Sequence, residues 1–303
     1  VEFGFSPASG SILPWWAQDL PLPLGLLTAD HIVTVSPTYA REILTPEFGS
    51  GLQDFLILRK DSISGILNGI DTARWDPSVD SQLPVTFDSQ QLPKRQTNKA
   101  ILQKEFSLAP DLRIPLMGMI TRMDYQKGID LAINALRMLS DLPWQAILLG
   151  TGTRELEEAA QQLQAEFPDR VRAIIRFDPD LSRRIYGGAD ALLIPSRYEP
   201  CGLAQMIAMR YGCVPVARAT GGLYDTIKDE TLGKDATGFL FKDAVPEALA
   251  EAIGRAIRLY PDTYRWIELQ QNGMSQDFSW LRSADEYLEL YLSVVAKRGN
   301  YES

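Results

Sequence analysis

The sequence predicts an α/β protein built on parallel sheets and divided into two domains. Three observations carry that prediction. From about Lys99 onward, short apolar runs alternate with amphipathic segments of helical length, the pattern of βαβ units in a sheet covered on both faces. The chain has 303 residues, more than one ordinary core holds and about the length of two domains. Its 45% hydrophobic and 23% charged shares are those of a folded globular protein, which excludes disorder, a collagen-like chain and a disulfide scaffold.

The elements follow in order. Residues 31–36 (HIVTVS) are apolar and β-branched, a strand ended by Pro37, which then sits at a first helical position. Residues 47–60 read as a second helix and 64–68 as a short strand running into the turn signal Asn68-Gly69. Residues 71–98 carry proline, serine, glutamine and aspartate without an apolar period, so a linker with a surface loop is expected there. Strands are then predicted at 116–120, 146–149, 171–177, 191–195, 214–217 and 238–241. Helices are predicted between them at 128–139, 154–167, 181–187 and 203–211, with a short one after Gly222 and terminal helices at 246–260 and 283–295. The predicted division is a first domain with its linker over 1–98, a second domain over 99–280, and a final helix over 281–303. The opening VEFGFSPASGSILPWW reads as the middle of something longer, so an incomplete first domain is expected.

Charge and rare residues narrow the function. Thirty Lys+Arg against thirty-nine Asp+Glu leave a net charge of −9, which disfavours nucleic acid as a partner. The one histidine, His31, starts a buried strand and reads as structural, leaving no multi-histidine metal site and no Ser-His-Asp relay. Two cysteines, Cys201 and Cys213, give no disulfide framework and point to a reducing, cytoplasmic setting. No apolar run reaches the about 18 residues of a membrane span, so no membrane partner is expected. Trp15 and Trp16 suit either a sugar platform or core packing.

In an open α/β sheet, ligands bind beyond the carboxyl ends of the strands, so the loops there are where chemistry belongs. After 116–120 come Arg122 and Lys127, then Gly128 and a helix. A guanidinium for bidentate contact and a mobile ammonium at a helix start suit a doubly charged anion such as a diphosphate. The residue types alone leave open two solvated loop charges. After 191–195 comes Ser-Arg-Tyr-Glu199-Pro-Cys201-Gly202-Leu203. An acid at a strand end, a glycine where backbone can approach a ligand and the amides of a starting helix suit a carboxylate on sugar hydroxyls beside phosphate. A helix-capping acid is the alternative. After 214–217, Thr220-Gly221-Gly222 lets the chain approach a ligand or make a tight turn. Leu149-Gly150-Thr-Gly152 imitates a dinucleotide fingerprint, but Glu155 holds the third glycine position and an NAD site is disfavoured. Cys201 beside Glu199 has no histidine near it in sequence to make it a nucleophile.

The segments TVSPTYAREI (34–43), NGID (68–71), TRMDYQKG (121–128), SRYEPCGL (196–203) and TGGLYDTI (220–227), in that order and spacing, resemble the bacterial glycogen synthase and plant starch synthase family. The resemblance covers essentially the whole chain. It implies a GT-B type glycosyltransferase of two Rossmann-like domains, N-terminally truncated here, whose last helix crosses back to the first domain. It implies retaining glucosyl transfer from ADP-glucose to the non-reducing end of an α-1,4-glucan, with no metal and no cofactor. By the same resemblance Arg122 and Lys127 match the diphosphate clamp and Glu199 the active-site acid on the donor glucose. Cys201, Gly202 and Leu203 match the loop whose backbone meets sugar and phosphate, and Thr220, Gly221 and Gly222 a further donor-side loop. Phe177 stands where the family commonly has a tyrosine against adenine; stacking survives that change and a hydroxyl contact does not. The family's N-terminal Lys-Thr-Gly-Gly-Leu loop and first-domain histidine are not in this sequence, and His31 does not take that role. Ile207 stands where the wider retaining group would have a second glutamate, which favours the synthase family. The two implied outcomes are a glucan synthase and a nucleotide-sugar-binding fragment that does not transfer.

Overall fold

Pro21, placed in the first turn where its missing N–H costs nothing, opens α1 (Pro21–Thr28), an apolar helix that the sequence pattern does not predict. The computed structural model describes residues 10–299. The chain continues through β1 (Ile32–Thr34), α2 (Pro37–Glu42), α3 (Gln53–Leu58) and β2 (Ile63–Gly65). The strand expected at 31–36 is shorter because Ser36 has turned to cap α2, its hydroxyl accepting from the Tyr39 N–H at 3.1 Å. The helix expected at 47–60 starts only at Gln53, since Ser50 and Gly51 take left-handed backbone with φ of 51° and 81°. β1 and β2 pair in parallel with Ile32 opposite Ile63. Beneath them Leu13, Ala17, Ile32, Leu52 and Phe55 form the core. Asn68-Gly69 is irregular chain rather than the expected turn. His31 bonds Ser64 Oγ through Nε2 at 3.0 Å; partial burial, with Lys297 and Arg59 nearby, holds it below its ordinary pKa.

The second unit begins at Ile70 rather than at 99, and ends at Ser279. Residues 71–98 are not a free linker. Leu83, Phe87 and Leu92 are buried, and Trp75 packs edge-on against Tyr186 and Tyr211. Asp80 accepts from the Tyr211 hydroxyl at 2.5 Å and pairs with Arg183 at 2.8 Å. The segment looked like a linker because its apolar anchors are spaced irregularly and its polar residues find partners one by one. α4 (Arg95–Glu105) was hidden for a related reason: its buried face carries Arg95, Asn98, Lys99 and Gln103, which bond carbonyls, an ion and an amide distant in sequence. Lys99 pairs with Asp190 at 2.7 Å, and Gln103 donates to Gln145 at 2.7 Å.

The alternating part then runs β3 (Leu116–Ile120), α5 (Ile129–Met138), β4 (Gln145–Gly150), α6 (Arg154–Glu166), β5 (Val171–Ile175), α7 (Pro179–Gly188), β6 (Ala191–Ile194), α8 (Ala204–Arg210), β7 (Val214–Arg218), α9 (Gly221–Thr226) and β8 (Phe239–Phe241). α10 (Pro246–Leu259) follows, then α11 (Thr263–Met274), which the sequence pattern missed, and α12 (Trp280–Gly299). α12 clusters with the first unit, where Ser283 Oγ donates to the Leu67 carbonyl at 2.6 Å. The six strands form one all-parallel sheet in the order β5-β4-β3-β6-β7-β8. Met117, Met119, Ala146 and Leu148 face a core shared with α5, α6 and α10. On the other face Gly118 makes room for α7: a Cβ there would come within 2.6 Å of Ile185.

The Asp80 cluster gives a stability prediction. Burial alone raises the Asp80 carboxyl, but the Tyr211 hydroxyl, the Gln82 amide and Arg183 outweigh it and hold the group below its ordinary value. A carboxylate held low in the fold adds stability above its unfolded value, and that stability is lost as pH falls through the folded value. Asp80→Asn is expected to cost about 2 kcal/mol at pH 7, and calorimetric melting should show the gap to wild type closing below about pH 4.

Candidate functional site

β3 and β6 lie side by side at the centre of the sheet, and the chain leaves them in opposite directions, β3 toward β4 and β5, β6 toward β7 and β8. Such a switch point splays the loops at the carboxyl ends of the two strands and opens a crevice between them. Here the crevice is a cleft of about 210 Å³ whose lining includes Arg122, Lys127, Ser196, Glu199, Gly202, Leu203 and Gln205.

The loop after β3 is shaped locally. Asp124 caps a single 3-10 turn, accepting from the Lys127 N–H at 3.0 Å, and Gly128 follows with φ 69°. No other residue fits there, since a Cβ on Gly128 would lie 2.1 Å from the Pro195 carbonyl oxygen. This close approach brings Lys127 to the loop after β6, where its Nζ meets Glu199 Oε2 at 2.6 Å. The buried Ser196 hydroxyl donates to the same oxygen at 2.8 Å. Arg122 stands at the mouth, 3.2 Å from Asp124 and 3.3 Å from the Gln126 side chain, whose amide donates to the Tyr198 carbonyl. Arg197 fastens the two loops from behind through a bidentate pair with Asp130, at 2.8 and 2.7 Å.

Of the predicted residues, the structure brings Arg122, Lys127, Glu199, Gly202 and Leu203 to one cleft. Thr220, Gly221 and Gly222 do not line it. The two glycines support it: a Cβ on Gly221 would fall 2.0 Å from the Glu199 carbonyl and one on Gly222 1.9 Å from the Cys201 carbonyl, while the Gly222 N–H donates to Glu199 O at 3.1 Å. The glycines there serve backbone-to-backbone packing. Cys201 is buried behind the lining, with its carbonyl taken by Gln205. Phe177 lies past the end of β5, 86% exposed and outside the cleft lining. Gly150 and Gly152 likewise serve close packing, against Thr121 and Met123, and the Gly152 N–H that a dinucleotide phosphate would use is held by Glu157 at 2.7 Å.

Several supporting residues were not singled out from sequence. Asp124 carried a signal, an acid three residues before the end of a turn closed by glycine. Ser196 had none beyond its nearness to Glu199. Gln205, fully buried, donates to the carbonyls of Cys201 and Gly202 and to Thr226 Oγ1, which donates in turn to Gly222 O at 2.6 Å. Only the fold shows that α8 and α9 meet there.

The comparisons with known proteins place this geometry. Residues 102–272 match the family model of the glycosyl transferases group 1, and residues 10–58 match that of the starch synthase catalytic domain. The chain is 46% identical over 286 residues to a glycogen synthase of Aromatoleum aromaticum, which covers 93% of this chain and 58% of that protein. It is 45% identical over 302 residues to one of Geotalea daltonii, covering 99% of this chain and 62% of the relative. The chain thus spans about three fifths of the length of these curated relatives. Among solved structures, the catalytic domain of starch synthase IV from Arabidopsis thaliana bound to ADP and acarbose is similar at 39% identity and a TM-score of 0.84, covering 90% of this chain and 58% of that one. A glycosyltransferase from Rickettsia africae, at 20% identity and a TM-score of 0.65 over 89% of this chain and 65% of its own, shares the fold.

A methyl group tests the packing of the site. Gly222→Ala is expected to displace the Glu199–Cys201 backbone and cost about 2 kcal/mol or more. Melting temperature reports the stability loss; an unchanged melting temperature would mean that the two loops are not in the contact described.

Proposed function

We propose, from the premise that this chain belongs to the glycosyl transferases group 1 and has their GT-B type α/β fold, that it serves retaining transfer of glucose from ADP-glucose to the non-reducing end of an α-1,4-glucan. The observation that carries the proposal is the meeting of Lys127 and Glu199 at the switch point, with Arg122 at the same cleft. The likeness to glycogen synthases and to a starch synthase solved with ADP and acarbose supports that substrate class.

In this proposal Arg122 and Lys127 hold the diphosphate and Glu199 contacts the donor glucose. As the bond from the anomeric carbon to the diphosphate breaks, negative charge gathers on the departing ADP. Preorganised cations at that place lower the barrier, because they need no reorganisation at the moment of reaction. The backbone of Cys201, Gly202 and Leu203 approaches sugar and phosphate, with Gly202 in left-handed backbone at φ 71°. Gly221 and Gly222 act from behind, by fixing the Glu199 backbone, with Thr220 just ahead of them at the start of α9. Phe177 is assigned to the adenine. The proposal calls on no metal and no cofactor, with ADP-glucose as donor substrate. Among the described residues no helix is long and apolar enough to cross a membrane, and the cytoplasm is the compartment proposed.

A second outcome is nucleotide-sugar binding without transfer; the chain spans 58% and 62% of the relatives' lengths. Calorimetry with ADP tests the clamp, and transfer of labelled glucose to glycogen tests catalysis. Binding with no transfer selects the second outcome, and no binding rejects both. In an enzyme that transfers, Arg122→Ala and Lys127→Ala are each expected to lower turnover by a few hundredfold, about 3 kcal/mol. Near-wild-type rates in both variants would reject the clamp.

A further inference from the structure

We infer that Ser196 is a positioning residue: its buried hydroxyl turns the Glu199 carboxylate so that one oxygen, Oε1, is presented to a hydroxyl of the donor hexose. This deepens the proposed function and rests on its assignment of Glu199 to the donor glucose.

Ser196 follows β6 directly after Pro195, and the backbone there is held because Gly128 lies against the Pro195 carbonyl. The residue is 1% exposed, and its Oγ lies 2.8 Å from Oε2 of Glu199, three residues on. A carboxylate only accepts, so the hydroxyl donates, and its one proton is committed to that oxygen. Lys127 Nζ, arriving from the loop after β3, reaches the same Oε2 at 2.6 Å. Two donors from two loops thus meet on one carboxylate oxygen. Among the described residues no hydrogen bond of the Glu199 side chain falls on Oε1. Nor is Oε1 sealed away, as the unpartnered Gln205 Oε1 in the same lining is. Glu199 therefore shows the cleft one free acceptor atom.

The hold matters because the last torsion of a glutamate is a broad, roughly two-fold rotor. Without an anchor the carboxylate spreads its acceptor over many directions, and an arriving hydroxyl has to fix it at a cost in entropy. Lys127 is a poor anchor for this purpose. Its ammonium sits on a flexible stem and is the group that the proposed function turns toward the diphosphate. Ser196 has one short torsion and is buried, so it keeps its grip on Oε2 while the ammonium moves. Lys127 supplies charge, and Ser196 supplies direction.

Isothermal calorimetry of this chain with ADP and with ADP-glucose is the test. Ser196→Ala should weaken ADP-glucose by about tenfold more than it weakens ADP, since any loss at the diphosphate is common to the two ligands and cancels. In a Glu199→Ala background the same substitution should alter that difference by less than about twofold, because no carboxylate is left to turn. Equal losses for the two ligands, or a tenfold difference that persists without Glu199, would make Ser196 merely structural and overturn the inference. The proposed function fails by other results. A wild-type chain that does not bind ADP-glucose, or a Glu199→Ala chain that binds it as tightly as wild type, removes Glu199 from the glucose and takes this inference with it. Where Glu199→Ala weakens ADP-glucose but Ser196→Ala weakens both ligands alike, the role of Ser196 alone is rejected.

Discussion

One ion pair, Lys127 to Glu199 at 2.6 Å, joins two loops 72 residues apart in the chain, and the rest of the site is arranged so that it can form. An ammonium and a carboxylate reach each other only if their backbones do. Gly128 allows the first approach by lying against the Pro195 carbonyl where no Cβ fits, and the Arg197–Asp130 pair fixes it. Gly221 and Gly222 allow the second, bringing α9 against the backbone that carries Glu199. The three glycine approaches are between main-chain atoms, which are held more rigidly than side-chain tips. A cleft built on them is placed before a ligand arrives, which is what electrostatic stabilisation of a leaving group requires.

The sheet beneath supplies the rigidity. β3 and β6 are central strands covered on both faces, so neither can shift without disturbing a close-packed core. Their carboxyl ends carry the Lys127–Glu199 pair. At their amino ends Asp190 binds both the Leu116 N–H and Lys99. The strands are thus pinned by an ion pair at both ends. Residues 71–98 tighten the same region through Asp80, Tyr211 and Arg183, which is why they fold with the second unit.

What the sequence shows and what it hides divide along a physical line. Strands and helices with a regular apolar period, such as Leu116–Ile120 and Ile129–Met138, were legible because period reports burial directly. α4 was not, since its inner face is polar and becomes burial-compatible only through partners as distant in sequence as Asp190 and Gln145. The cleft followed the same rule. Arg122, Lys127 and Glu199 were legible because charged residues at the carboxyl ends of parallel strands have few structural reasons to be there. Gly221 and Gly222 were legible as sites of close approach, and the structure shows carbonyl oxygens there. Glycine reports that something comes close, and sequence cannot say whether that is a ligand or, as here, a carbonyl oxygen.

The charge balance of the cleft bears on the diphosphate binding proposed for it. Arg122 is set against Asp124 and Lys127 against Glu199, two cations and two carboxylates. In the proposed function a diphosphate would draw each cation away from, or share it with, a carboxylate that already holds it. The two cases differ in cost. The Arg122 side chain is 69% exposed, so water and salt screen its pair with Asp124 and little is lost when it turns to a ligand. Lys127, at 19%, is screened less, and Glu199 keeps a second donor, Ser196, to hold its oxygen if the ammonium moves. Ser196 thus lets Lys127 serve two partners in turn without leaving Glu199 uncompensated. Arg122 supplies reach at the mouth, and Lys127 supplies a charge already set in place at the floor.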